Sequence, residues 1–231
     1  MKRMMMMVVL VVAGIAAADS DVDALKAVLE KVTDAETQCR IDNCYAEGKV
    51  VAQDKAEALR WYRKAADQGC AEAQYRLGKW YTYHSTIGRK SEAEMWFRKA
   101  AEQGHLAAQH RLGVLHLTGE GDVTTNYVEA VRLFRKGAES GYARSIHNLG
   151  TCYAEGKGVP QDKAEAYRLY RKAAEMGLAA SQYNVGLYYD KGWAVEKNPV
   201  VALKWYRKAA AQGCPEADDM IRKLTKERKS K

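Results

Sequence analysis

Short catalytic motifs are missing from this sequence. It contains no Ser-x-x-Lys, Lys-Thr-Gly, Gly-x-Ser-x-Gly or His-Glu-x-x-His, so no motif points to a serine acylase, an α/β-hydrolase or a zinc protease. The Gly-Lys pairs lack the following Ser or Thr of a phosphate-binding loop, and we interpret them as parts of turns between helices. The sequence therefore predicts neither an enzyme nor a bound cofactor or metal ion.

Long apolar runs are also scarce. The run Met4–Ile15 covers 12 residues, whereas a membrane-spanning helix needs about 20. Lys2 and Arg3 precede this run, and three alanines follow it at 16–18, which are the small residues that signal peptidase requires. We expect residues 1–18 to be a signal peptide cleaved before Asp19, which would leave a protein in the periplasm or outside the cell. The alternative is an uncleaved membrane anchor.

Acidic residues are outnumbered by basic ones. The sequence has 37 Lys and Arg against 29 Asp and Glu, a net charge of +8. Part of the excess lies in residues 223–231, where five cations accompany only Glu227. A basic tail attracts anionic membranes or acidic proteins, although a frayed, solvated end is the simpler interpretation. Most other cations recur at fixed positions of a repeat, which indicates solvated helix faces and not a stripe that binds nucleic acid.

The dominant positive feature is a phrase that occurs five times. Trp-Tyr-Arg-Lys-Ala-Ala at 61–66 recurs with small changes at 96–101, 133–138, 169–174 and 205–210. A glycine follows each copy after three residues, and these glycines are spaced by 35, 37, 36 and 36 residues: Gly69, Gly104, Gly141, Gly177 and Gly213. A nearly constant period in this range is typical of stacked repeats and not of a single globular core.

Each repeat is predicted to be a pair of helices, and the first helix has a glycine in its interior. The aligned positions are Gly78, Gly113, Gly150 and Gly186. A glycine inside a helix costs about 1 kcal/mol relative to alanine. Its recurrence at one position therefore predicts that another backbone packs closely there.

The second helix of each repeat has start and stop signals. Asn126, Asp162 and Asn198 are predicted N-caps, with Glu129 and Glu165 completing capping boxes in two of them. The repeated phrase supplies an apolar face at helical spacing, and the closing glycine suits the left-handed C′ position.

These signals divide the chain into repeats and ends. Because a stack of repeats leaves an apolar face uncovered at each end, half-units are expected there. The predicted parts are a signal peptide at 1–18, an N-terminal capping helix at 19–34, repeats at 35–69, 70–104, 105–141, 142–177 and 178–213, and a C-terminal capping helix with a basic tail at 214–231.

The repeats resemble those of Sel1-like repeat proteins, which are relatives of the tetratricopeptide solenoids. The shared pattern is carried best by the repeat at 142–177, in Leu149–Tyr153, Gly156–Asp162 and Tyr170–Gly177. The resemblance implies an all-α, right-handed superhelical solenoid of five repeats with terminal capping helices. It also implies a scaffold or adaptor role, in which the concave face built by the first helices holds a partner.

Two recurring positions are expected on this concave face. The ring position, two residues before the Leu or Val that precedes the interior glycine, holds Tyr75, His110, His147 and Tyr183 in repeats two to five. The variable position, two residues after the same Leu or Val, holds Lys79, Val114, Thr151 and Leu187. These residues are predicted to bind a protein or peptide, since amphipathic rings supply large contact areas at modest entropy cost. The alternative is that the rings only fill the space between adjacent helices.

Histidine and cysteine side chains could bind a metal ion, and two cysteines could form a disulfide. His110 and His147 share a position in adjacent repeats, but no third ligand stands at a suitable spacing, so no metal site is predicted. The end of a second helix should return near the start of the first, which makes a disulfide between Cys39 and Cys70 possible. The alternative is that all five cysteines, at 39, 44, 70, 152 and 214, are small hydrophobic residues.

We therefore expect an exported, monomeric, non-enzymatic scaffold for a protein or peptide, without a membrane span and without nucleic acid as a partner. Some exported relatives with many cysteines are described as β-lactam-binding or weakly β-lactamase-like, which provides one alternative. Those relatives carry a cysteine pair in every repeat, and this sequence does not. A periplasmic regulator of a membrane sensor is a second alternative.

Overall fold

The structure, a computed structural model, describes residue 38 and residues 55–84 and 90–229. All regular secondary structure in these residues is helical. The helices are α1 (Lys55–Asp67), α2 (Ala71–His84), α3 (Lys90–Glu102), α4 (Leu106–Thr118), α5 (Tyr127–Glu139), α6 (Ala143–Glu155), α7 (Lys163–Glu175), α8 (Ala179–Lys191), α9 (Pro199–Ala210) and α10 (Pro215–Lys229). The predicted signal peptide and N-terminal capping helix lie outside the described residues.

The chain divides into two compact units. The first comprises the chain up to Ala108 together with the short segment Gly121–Val123. In it, α2 packs against both α1 and α3. The segment 121–123 is fixed to the start of α3, because the Ser91 N–H donates a hydrogen bond of 2.8 Å to the Asp122 carboxylate and Val123 is buried. The buried faces of α1 and α3 come from the repeated phrase, as its helical spacing predicts.

The other unit comprises Gln109–Glu120 and the chain from Thr124 onward. Each helix from α5 to α9 packs against the next one along the chain. The apolar core is correspondingly divided into clusters shared by neighbouring helices, such as the one in which Phe134, Ile146 and Leu169 meet. Contacts between neighbours in sequence, without one central core, are what a stacked array requires. The all-α repeat fold predicted from the sequence is confirmed.

The N-caps of the second helices are confirmed, but the capping boxes are wrong. The side-chain oxygen of Asp162 accepts the N–H groups of Ala164 and Glu165 at 2.9 Å. The Asp162 N–H itself donates to the carbonyl of Tyr153 at 2.9 Å, so it has no need of the Glu165 side chain that a capping box would offer. Glu165 instead forms a two-pronged ion pair with Arg168.

The nearest atoms to the interior glycines of the first helices belong to aromatic rings, which corrects the prediction of a close backbone. At Gly150 a backbone atom is also near, since a Cβ there would lie 3.4 Å from the Ala166 carbonyl oxygen. A Cβ on Gly78 would lie 2.5 Å from the ring of Phe97, and one on Gly186 would lie 2.6 Å from the ring of Tyr206. The aromatic residue of the repeated phrase therefore occupies the space that a side chain would need. The closing glycines do adopt the predicted left-handed conformation, with φ between +74° and +92°.

Candidate interaction face

The ring position of α2 is occupied by Tyr75, which packs on its neighbours in the first unit. Its ring stacks on His105 with centroids 4.7 Å apart and lies tilted against Phe97 at 5.9 Å. Lys79, at the variable position, places its Nζ 5.7 Å from the centre of the Tyr75 ring. Both residues are half-buried, so a part of each side chain remains at the surface.

A polar cluster lies beside Tyr75. Glu72 binds His105 at 3.0 Å and Arg76 at 2.6 Å. The hydrogen bond from His105, followed by the bond and charge of Arg76, outweighs partial burial and lowers the pKa of Glu72 to about 2. The carboxylate is thus charged at every physiological pH and fixes His105 beneath the Tyr75 ring.

In the second unit, His110 of α4 contacts the following pair of helices. Its ring is tilted against Phe134 at 6.0 Å and meets Tyr142 edge-on at 5.7 Å. Its Nε2 lies 3.1 Å from the Nδ2 of Asn148 on α6. An amide nitrogen only donates hydrogen bonds, so this Nε2 is an acceptor and the imidazole is neutral.

His147 of α6 repeats this arrangement one repeat further along. Its ring is tilted against Tyr170 at 5.3 Å, and its Nδ1 lies 2.8 Å from the Ser181 hydroxyl of α8. Thr151, at the variable position, accepts a hydrogen bond of 3.0 Å from the Tyr170 hydroxyl and donates one of 3.3 Å to the His147 carbonyl. Side chains of α6, α7 and α8 are thereby joined into one network.

Burial gives the two histidines unusual acidity. It lowers the pKa of His147 to about 4, because a buried imidazolium loses its hydration. Burial also lowers the pKa of His110 to about 4, with smaller contributions from Arg111, Arg144 and His147. Both rings are neutral near pH 7 and keep a nitrogen lone pair for hydrogen bonding.

The remaining residues of the predicted face are half-buried as well. The ring of Tyr183 is tilted against that of Tyr206 at 5.6 Å. Leu187 packs on the apolar cluster shared by α9 and α10, and Val114 packs on the cluster around Phe134. The rings therefore do fill the space between helices, as the alternative interpretation held, and leave only part of their surface for a partner.

Sequence reasoning missed a set of glutamines that form hydrogen bonds both within a repeat and between adjacent repeats. Gln103 donates to the Oε1 of Gln74 at 2.8 Å, and Gln74 donates to the carbonyl of Ala66 at 3.1 Å. Gln212 and Gln182 form the same bond at 2.9 Å. The signal was present, since a glutamine precedes the closing glycine in three repeats.

The three cysteines among the described residues are buried or half-buried. Cys152 is buried, which raises the pKa of its thiol to about 11, and it packs in the cluster around Phe134. Cys70 and Cys214 are half-buried. Cys39 lies outside the described residues, so its disulfide with Cys70 stays a prediction.

The described residues offer neither a metal centre nor a membrane-spanning helix. No group of three His, Cys, Asp or Glu side chains in residues 55–84 and 90–229 is arranged to hold a metal ion. None of the helices in that part of the chain is long and apolar enough to cross a membrane.

Comparison with known proteins places these features in a family. The Sel1 repeat model matches five consecutive segments, at residues 43–70, 71–105, 106–142, 143–178 and 179–214. Proteins with Sel1 repeats are generally scaffolds for protein–protein interactions and not enzymes. No curated protein matches the chain.

Solved structures agree with the family match. A Sel1 repeat protein from Oxalobacter formigenes is 34% identical with a TM-score of 0.77, over 82% of this chain and 75% of that one. The protective antigen c5321 of uropathogenic Escherichia coli is 33% identical with a TM-score of 0.73 over 86% of this chain, which spans 42% of that protein. A Sel1 repeat protein from Klebsiella pneumoniae, 20% identical with a TM-score of 0.55, shares the fold. With five matched segments and helix pairs packed in sequence order, this chain belongs to the Sel1 repeat family.

Proposed function

We propose that this protein is an exported, monomeric scaffold that holds a protein or peptide partner on its first-helix face. By this face we mean the ring and variable positions of α4, α6 and α8, all in the second unit, together with the residues beside them. One observation carries the proposal. In the second unit, hydrogen bonds between side chains join three consecutive first helices, from His110 to Asn148 and from His147 to Ser181.

These bonds hold the face in one arrangement before a partner arrives. Binding usually costs about 0.5–1.5 kcal/mol for each flexible side chain that becomes ordered. The imidazole rings of His110 and His147 are already fixed by ring packing and by hydrogen bonds. A partner would therefore meet rigid ring edges and amides, whose recognition needs little further ordering.

The first-helix face varies between repeats, whereas the residues that support it at the interior glycines keep their aromatic character. The positions that pack on the interior glycines are always aromatic: Phe97, Phe134, Tyr170 and Tyr206. The variable position changes from Lys to Val, Thr and Leu across repeats two to five. A face with constant support and changing surface chemistry suits recognition of one specific partner.

Export is part of the proposal and is supported by the sequence of residues 1–18. The basic start, the short apolar run and the alanines before Asp19 fit a cleaved signal peptide. The partner is then expected in the periplasm or outside the cell.

Site-specific photocrosslinking tests the proposal. Alanine substitution of the ring residues is unsuitable because these rings support neighbouring helices. A photoreactive amino acid is therefore placed at Arg144 or Asn184, which lie beside the ring positions of α6 and α8. Matched controls carry it at Lys136 or Arg168, which are exposed on the second helices α5 and α7.

We expect one protein to be captured from native extract by the first pair of positions and not by the second. Addition of unlabelled wild-type protein should compete for this capture. If the second-helix positions alone yield a product, the first-helix face is not the binding surface.

A further inference from the structure

The exposed side of α9 differs in charge from the same side of the preceding second helices. Its exposed residues recur at helical spacing and form one stripe: Val200, Lys204, Arg207, Lys208 and Ala211. Three of the five are cations, and α9 contains no acidic residue. All charged residues of the stripe are therefore positive.

The second helix of the preceding repeat, α7, has the acidic partners that α9 lacks. It carries cations at the matching positions, Arg168, Arg171 and Lys172, but two of them are paired. Arg168 binds Glu165 at 2.6 Å and Arg171 binds Glu175 at 3.0 Å.

In α9 both acidic positions are lost. Val201 stands where α7 has Glu165, and Ala211 stands where it has Glu175. Among the described residues, Lys204, Arg207 and Lys208 make no ion pair. The Nζ of Lys208 instead lies 4.5 Å from the centre of the Trp205 ring, which fixes its position without neutralising its charge.

The helix dipole explains the cations but not the missing acids. Basic residues in the last turn stabilise the carbonyl end of any helix, and α5 and α7 have them as well. Each of those two helices nevertheless retains an acidic residue that pairs with an arginine three residues further along, Glu129 with Arg132 and Glu165 with Arg168. The combination in α9, with the three cations of the stripe kept and both matching acids replaced by apolar residues, points to a negative group supplied from outside.

The helix that packs against α9 extends this basic region. In α10, Lys223 and Lys226 are exposed, and Arg222 is paired with Asp219. Three acidic residues of α10 lie in its first turns, at Glu216, Asp218 and Asp219, and a fourth, Glu227, follows Lys226 directly.

We propose that the α9 stripe is a second docking surface, which binds an acidic segment of a protein. Carboxylates spaced three to four residues apart on a partner helix would meet Lys204 and the Arg207–Lys208 pair. The guanidinium of Arg207 offers two parallel donors to one carboxylate. Val200, which is 47% exposed, provides an apolar contact at the other end of the stripe. This surface lies on a second helix and does not depend on the first-helix face.

A labelled oligoglutamate peptide is the probe, and its affinity is measured by fluorescence anisotropy at low and high salt. In one variant Lys204, Arg207 and Lys208 are all changed to Gln. The matched control changes Arg168, Arg171 and Lys172 to Gln, which removes the same charge from α7. A further variant, Val201→Glu with Ala211→Glu, restores the acids and keeps every cation.

Each of the three cations is expected to form an exposed ion pair with a carboxylate of the peptide. Removal of all three should therefore weaken binding about tenfold. We expect a similar loss with the restored acids, about twofold or less with the α7 control, and weaker binding at high salt. Equal losses from the α7 and α9 variants would overturn the proposal, because net charge alone would then account for binding. Binding to phosphatidylglycerol vesicles that is lost in the α9 variant, together with no binding of the peptide, would also overturn it in favour of a lipid surface.

Discussion

Acid should destabilise this protein through two partly buried histidines. The pKa of His110 and that of His147 are both lowered from 6.5 to about 4 in the folded state. As the pH falls below 6.5, both imidazoles become protonated in the unfolded chain but stay neutral in the folded chain. The stability is therefore complete above pH 6.5 and is lost progressively between 6.5 and about 4.

The size of the effect follows from these values. Between about pH 7.5 and about pH 5, each histidine lowers the free energy of unfolding by about 2 kcal/mol, and the pair lowers it by about 4 kcal/mol. Glu72 contributes little in this range, because the pKa of its carboxylate moves between 4.5 and about 2. Its own contribution is lost only at lower pH.

Urea unfolding followed by circular dichroism at a series of pH values measures this dependence. The double variant His110→Gln, His147→Gln should be less stable near pH 7 but nearly independent of pH down to about 5. Each single variant should retain about half of the wild-type slope. Gly186→Ala is the matched control, since it lowers stability without removing a titrating group. A wild-type slope that survives in the double variant would refute the assignment of neutral, buried imidazoles.

Three further predictions concern local packing and processing. Gly186→Ala should destabilise the protein by about 1–2 kcal/mol in urea titrations, because the crowding of the Tyr206 ring exceeds the gain in helix propensity. Ala194→Gly should raise the unfolding midpoint, with a gain of up to about 1 kcal/mol, because Ala194 has a φ of +54° in the left-handed region; an unchanged midpoint would show that the turn is not strained. The exported protein should begin at Asp19 by intact-mass measurement, and a full-length mass would show that the signal peptide is retained.

Much of the fold could be predicted from the sequence, because each repeat carries its own local signals. The closing glycines need a left-handed backbone, and Asp162 caps the helix that follows it. Both signals act within a few residues, so one repeat is enough to interpret them. Five copies then confirm that the pattern is structural.

The partners of the interior glycines could not be predicted in this way. A recurring glycine indicates close approach but does not say what approaches. In the structure the answer is the ring of Phe97 or Tyr206, about 20 residues further along. The capping boxes failed for a similar reason, since the Asp162 N–H already donates to Tyr153.

The helices that carry the candidate residues could be predicted from the sequence, but the contacts of these residues could not. The ring and variable positions do lie half-buried on the first helices. Their hydrogen-bond partners Asn148 and Ser181 stand 38 and 34 residues away from His110 and His147. Such contacts depend on how consecutive repeats stack, and no local pattern records them.

The central claim is that a partner binds the first-helix face. Hydroxyl-radical footprinting of the mature protein, with and without the partner that photocrosslinking identifies, tests it most directly. We expect Tyr183 and Leu187 to be protected by the partner. The reactivity of Tyr127 and Val128, at the exposed start of α5, should stay unchanged. Protection of Tyr127 and Val128, with Tyr183 and Leu187 as reactive as in the free protein, would contradict it.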